Sequence, residues 1–101
     1  MENLEFKNHT YRIKKLNAIQ ILAFRTQVSF DDFKASEKLY MLILENIEVQ
    51  CNDKWLPVKQ GNNYYPKNIE DDIETIERLL DYFLEYLKEV FPKSNESKAQ
   101  Q

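Results

Sequence analysis

A nucleophile and base in this chain would have to be His9 paired with Cys51 or with a serine, since these are its one histidine and one cysteine. Catalysis of that kind needs both groups held in a desolvated cleft. His9 falls at the expected tip of a hairpin, where water surrounds it, and reads as a turn residue. Cys51, beside Asn52 and Asp53, reads as a strand-end cysteine with no activating neighbour in sequence. One Cys and one His cannot supply the roughly four ligands a zinc site needs. Gly61 is the only glycine, which leaves neither a phosphate-cradling loop nor a dinucleotide fingerprint. The expectation is a protein without catalytic, metal or cofactor residues.

Two charged groupings invite other chemistry. Glu70, Asp71 and Asp72, with Glu74 close behind, could be imagined around a cation. Carboxylates also collect at helix N-termini because the dipole favours them there, and that is how we read these four. Lys7, Arg12, Lys14 and Lys15 make one side of the opening segment basic. They read as a solvated strand surface, with contact to an acidic partner as the alternative.

The elements that would carry these residues follow from apolar periodicity. Residues 4 to 14 alternate as a half-buried hairpin does. A turn at Asn8-His9 pairs Phe6 with Tyr11, Leu4 with Ile13 and, on the other face, Glu5 with Arg12. Asn17 with Gln20 forms a capping box for a helix from about Ala18 to Gln27. Its apolar residues Ile19, Ile21, Leu22, Phe24 and Val28 spread around much of the circumference. Ser29, followed by Asp31 and Asp32, opens a second helix to about Asn46, with Phe33, Tyr40, Leu44 and Ile47 on one stripe.

Residues 47 to 58 read as a second hairpin turning at Asn52-Asp53, pairing Val49 with Leu56 and Ile47 with Val58. Pro57 cannot donate to a ladder, so its strand belongs at an edge. A polar loop from Lys59 to Lys67 follows. Asn68 then caps a long helix that Pro92 closes, with Ile69, Ile73, Ile76, Leu80, Phe83, Leu87 and Val90 as its stripe. The predicted fold class is α+β and helix-rich: an N-terminal β-hairpin, two helices, a second β-hairpin and a long C-terminal amphipathic helix. Residues 1–92 form one domain, and 93–101 a polar, disordered tail.

Composition bounds the function. The 101 residues carry 43% hydrophobic and 13% aromatic side chains, a globular balance large enough for one core. A formal charge of −3 opposes general nucleic-acid binding, which needs a basic surface. One cysteine permits no internal disulfide and fits a reducing compartment. The longest apolar run, Leu39 to Leu44, is too short to span a bilayer. Met-Glu-Asn-Leu-Glu shows no basic lead into an apolar segment, so the expectation is an intracellular protein with no secretion signal.

More apolar helix surface is present than so few elements are expected to hide. Leu84 and Phe91 widen one edge of the last helix, Leu79 and Tyr86 the other, and Tyr82 lies further round. Leu39 and Leu42 project away from the stripe of the second helix. Tyr64 and Tyr65, before Pro66, either fold back as a lid or meet a partner. The expected partner-binding residues are therefore Leu39, Leu42, Tyr64, Tyr65, Leu79, Tyr82 and Tyr86.

The order of these pieces resembles the tail assembly chaperones of long-tailed bacteriophages and prophages of Gram-positive bacteria. The resemblance rests on the opening segment Leu4 to Leu16, the helix beginning after Asn17, the stretch Ile47 to Leu56 and the closing helix, and covers most of residues 4 to 91. It implies a factor acting in the bacterial cytoplasm and absent from the finished virion. Such proteins bind the phage tape-measure protein and promote tail-tube assembly, with the tail-tube protein as a second partner. It implies no catalytic residues. The alternative is a small regulatory or adaptor protein, homodimeric through the seam from Ile73 to Val90 or bound to a partner helix.

Overall fold

The computed structural model describes residues 2–27 and 37–91. Four antiparallel strands form the main sheet, in the order β1 (Leu4–Phe6), β2 (His9–Ile13), β3 (Ile47–Cys51) and β4 (Lys54–Pro57). Helices α1 (Ala18–Gln27) and α2 (Glu37–Glu45) lie in the connection between the two central strands. A small two-stranded sheet, β5 (Lys59–Gln60) with β6 (Asn63–Tyr64), follows β4. A 3-10 turn, Ile69–Asp71, then leads to the long helix α3 (Ile73–Val90). The class is α+β, with the strand and helix order expected from sequence.

The sheet is two-faced because its strands alternate. Leu4, Tyr11, Val49 and Leu56 share one rung, and Ile13 faces Ile47 on the next of the same side. Leu4, Tyr11, Ile47 and Val49 are buried in one core with Leu39, Ile43 and Leu44 of α2 and Leu79, Leu80, Tyr82, Phe83 and Leu87 of α3. On the opposite face, Arg12 donates to Glu48 at 2.8 Å and stacks 4.1 Å from the Trp55 ring centre. That arrangement satisfies the charge and covers the indole without a further layer of structure.

The first hairpin turns one residue earlier than expected. Lys7 and Asn8 both adopt the left-handed region, at φ 48° and 67°, and the register is Leu4 with Tyr11, Glu5 with Thr10 and Phe6 with His9. A two-residue turn with both central residues left-handed matches strand twist, and Asn8 suits its second position better than His9 would. The ends shift by two partners, so every side chain keeps its expected face. Arg12 consequently finds Glu48 rather than Glu5. The second hairpin has the expected register, Val49 opposite Leu56, with the Val58 amide donating to Ile47. β4 lies at the sheet edge, where Pro57 leaves no ladder bond unmade between strands.

At α1 the capping box forms in both directions. The Gln20 amide donates to Asn17 Oδ1 at 2.9 Å, and the Asn17 amide donates to Gln20 Oε1 at 3.0 Å. The expected opening of α2 at Ser29, with Asp31, Asp32 and Phe33, lies outside the described residues, as do Val28 and the tail from Pro92. Of the stripe expected for α2, Leu44 and Ile47 are buried, but Tyr40 is exposed and Leu39, expected to project away, is buried.

Two further boundaries are corrected. The expected polar loop contains the β5–β6 pair, turned by Gly61 at φ 62°. Asn68 does not cap α3: it is left-handed at φ 69° and its side chain makes no capping bond. Asp72 takes that role. Its carboxylate accepts from the Thr75 amide at 3.2 Å and the Thr75 hydroxyl at 2.7 Å. The inward face of α3 is also broader than expected, reaching Thr75, Leu79 and Tyr82, while Ile73 is 76% exposed.

Candidate binding surface

His9 Nδ1 lies 3.1 Å from the Lys7 carbonyl, a bond that places the ring proton on that nitrogen. The β2–β3 register, continued from Tyr11–Val49, sets His9 across from Cys51. No hydrogen bond joins the ring to the thiol among the described residues, and Cys51 is a half-buried free thiol. No group of three or more His, Cys, Asp or Glu among the described residues is placed to hold a metal ion.

A small cleft of about 210 Å³ collects Lys7, His9, Tyr11, Asn68, Asp72 and Thr75. Its main cation is already neutralised: Lys7 Nζ sits 3.1 Å from Asp72 and 2.7 Å from Glu74. Bonds to Glu74 and Asp72 hold the Lys7 ammonium above its usual pKa, and bonds from Thr75 and Lys7 hold the Asp72 carboxyl below its own. Burial pushes the Tyr11 hydroxyl up to about 12. These groups pin the first hairpin tip to the start of α3. Of the four acidic residues expected to complement the helix dipole, Asp72 thus acts as a cap, and Asp72 with Glu74 as a clasp.

The expected partner residues fare unevenly. Leu39, Leu79 and Tyr82 are buried in the core at 4%, 0% and 3% exposure, which removes them from any surface this conformation offers. The physical reason is the breadth of the inward face of α3, which brings both edges of its stripe against the sheet and α2. Tyr82 also donates its hydroxyl to the Glu2 carbonyl at 2.9 Å, satisfying its polar end inside. Leu42, Tyr64, Tyr65 and Tyr86 are half-buried and pack on the same core. Tyr64 and Tyr65 therefore lie as the lid alternative has them. Of the adaptor's seam, Leu80, Phe83 and Leu87 are buried within the chain, while its ends Ile73 and Val90 are exposed.

Exposed large apolar side chains occur singly at Tyr40, Ile73 and Val90, and as a neighbouring pair on α1. Phe24 is buried and Ile21 half-buried, and the Phe24 ring meets Phe83 at 5.0 Å in a tilted pair. The opposite side presents Ile19, 79% exposed, and Leu22, 48% exposed. Spaced three residues apart, these two are neighbours on the helix surface. Ala23 is exposed beside them. A helix apolar on all sides is normally buried all round, and this one is covered on one side only. Sequence reasoning recorded the spread of apolar residues around this helix but did not select its outer face. Periodicity cannot rank the two sides when both are apolar.

The rim of that face is basic. Lys14, Lys15 and Arg25 are exposed, and none has a carboxylate partner among the described residues. Arg25 is the only charged residue within α1. No helix among the described residues is long and apolar enough to cross a membrane. No family model matches the chain, and no curated protein or solved structure matches it.

Proposed function

We propose that this chain is a binding protein that acts as an assembly chaperone for a long helical client, the role implied by its resemblance to phage tail assembly chaperones. The observation that carries the reading is the exposed apolar side of α1, with Ile19 and Leu22 facing solvent opposite the buried Phe24. A chaperone for a helical client needs an accessible apolar helix face and enough net charge to stay dispersed. Covering the two side chains on a partner is worth roughly 1.5–3 kcal/mol each before association costs, which suits reversible capture. The clasped hairpin and buried core supply a rigid base for that face. The client is the tape-measure protein, with the tail-tube protein recruited to it.

The test is co-expression with phage tape-measure and tail-tube proteins, followed by affinity capture. The reading expects recovery of the tape-measure protein with the wild-type chain. It also expects loss of that recovery when Ile19 and Leu22 are both changed to Ser in a chain that still folds. Wild-type chain that captures neither tail protein from soluble, co-expressed material would overturn it.

A further inference from the structure

We infer that the outer face of α1 takes an acidic amphipathic helix, one whose apolar stripe is bordered by Asp or Glu. The inference rests on the binding-protein reading above and names the chemistry of the segment that is bound. Three facts combine. Ile19 and Leu22 form a short apolar strip of the width that one helix stripe covers. Lys14 and Lys15 stand just before the helix and Arg25 in its last turn, so cations lie at both ends of that strip. None of the three has a carboxylate partner among the described residues, although the chain carries 17 acidic residues.

That last fact is informative about the occupant. From Ile69 to Phe91 the sequence has eight acidic and two basic residues, whereas from Lys14 to Gln27 it has three basic and no acidic ones. Acidic residues are abundant, and those beside Lys7, Arg12 and Lys59 are used in ion pairs. Among the described residues, the α1 rim is left unpaired in a protein of net negative charge. An incoming carboxylate-bordered helix would meet apolar surface at the centre and opposite charge at both ends, which fixes its placement as well as its affinity. A basic helix would meet like charge at the rim.

An anionic membrane offers the same charge but fits less well. Membrane-surface helices bury a long apolar face and keep the other in water, whereas the second side of α1 is committed to Phe83 through Phe24. The acidic residues of α3 would be repelled by the same lipid headgroups. The surface therefore points to protein.

The probe is a pair of synthetic helical peptides with one apolar stripe, bordered by Glu in the first and by Lys in the second. Each is titrated into the full chain and followed by amide chemical shifts. Phosphatidylcholine–phosphatidylglycerol vesicles are tested separately by co-sedimentation. The Glu-bordered peptide is expected to bind and to shift Ile19, Leu22 and their neighbours, more weakly as salt rises. Ile19→Ser with Leu22→Ser is expected to weaken it at least about tenfold. Lys15→Glu with Arg25→Glu should flatten the salt dependence and bring the Lys-bordered peptide up to or above the Glu-bordered one.

Equal binding of both peptides to the wild-type chain would overturn the inference. So would shifts confined to other elements, vesicle binding without peptide binding, or self-association that occupies α1 and excludes the peptide. Client capture that survives Ile19→Ser with Leu22→Ser would refute this surface while leaving the chaperone reading in place. Peptide binding at α1 without capture of any tail protein would do the reverse.

Discussion

Helices α1 and α3 use similar apolar side chains to opposite ends. Between its end residues Ile73 and Val90, which are exposed, α3 buries Leu79, Leu80, Tyr82, Phe83 and Leu87 on one side while acidic residues fill the other. Its N-terminus is closed by Asp72 and tied to the first hairpin by Lys7. α1 has 10 residues, an equally good capping box and no such sorting. It enters the core through Phe24 and turns Ile19 and Leu22 outward. A helix that sorts its residues specifies where it packs. One that does not can pack on two sides, and the described residues cover only one of them.

Removing the ring at the centre of the sorted helix should have the largest effect. Phe83 is fully buried and touches Phe24 and Tyr86. Phe83→Ala is expected to lower the unfolding free energy by about 3–5 kcal/mol in chemical denaturation, enough to leave a domain of this size marginal. A loss below about 1 kcal/mol would mean that α3 is not the axis of the core.

The partner ring should behave differently. Phe24→Ala removes the principal anchor of a helix whose other side is already in water, so its cost falls at or below the lower end of the same ~3–5 kcal/mol range. The sharper readout is hydrogen exchange: α1 amides should lose protection selectively while β2, β3 and α3 keep theirs. Uniform loss of protection would erase the distinction between the two helices.

Titration probes the core that α3 covers. The Tyr11 hydroxyl is raised from 10.0 to about 12 because burial disfavours the phenolate, so its protonated form is favoured in the folded chain. The resulting stability is complete below pH 10 and is lost as the pH climbs from there toward 12. Urea midpoints measured across that interval should fall in the wild type and fall less in Tyr11→Phe. The buried Tyr82, also raised by burial, sustains the remaining slope.

A smaller effect belongs to the cap. Asp72→Ala should cost about 0.5–2 kcal/mol, since the Thr75 amide and hydroxyl lose their acceptor and Lys7 loses one of two carboxylates. Because the folded carboxyl is held below its ordinary 3.8, its contribution is present above that pH and fades as acid protonates it. The variant should therefore show a shallower acid limb than the wild type.

These contrasts also explain what could be read from the residues alone. Period-two alternation set both hairpins and the correct faces, and Pro57 was placed at an edge because proline lacks a donor. Asn17 and Gln20 announced the α1 cap through their own side-chain chemistry. The register of the first hairpin was missed because the turn is decided by two backbone angles, at Lys7 and Asn8, and Lys7 is no strong turn signal. The α3 cap was missed because Asn68 and Asp72 are both good capping residues, and the buried Ile69 between them favours an extra 3-10 turn. Leu39, Leu79 and Tyr82 lie inside, against expectation, for a tertiary reason. Whether Leu79 or Tyr82 faces out depends on how many elements converge on α3, and that number is set by the whole fold.

The mildest prediction bears most directly on function. Changing both Ile19 and Leu22 to Ser removes apolar area that water already reaches, so the change in unfolding free energy should stay within about 0.5 kcal/mol. Serine is a poorer helix former than isoleucine or leucine by a small margin, and the Asn17–Gln20 box remains in place to hold the first turn. A solvent-facing Ile three residues from a solvent-facing Leu contributes little to the stability of a free domain, because neither is removed from water there. If the double substitution instead cost several kcal/mol, α1 would have to be buried on both sides within the chain's own fold. The asymmetry between the two helices would then vanish, and with it the reason to assign α1 to a partner.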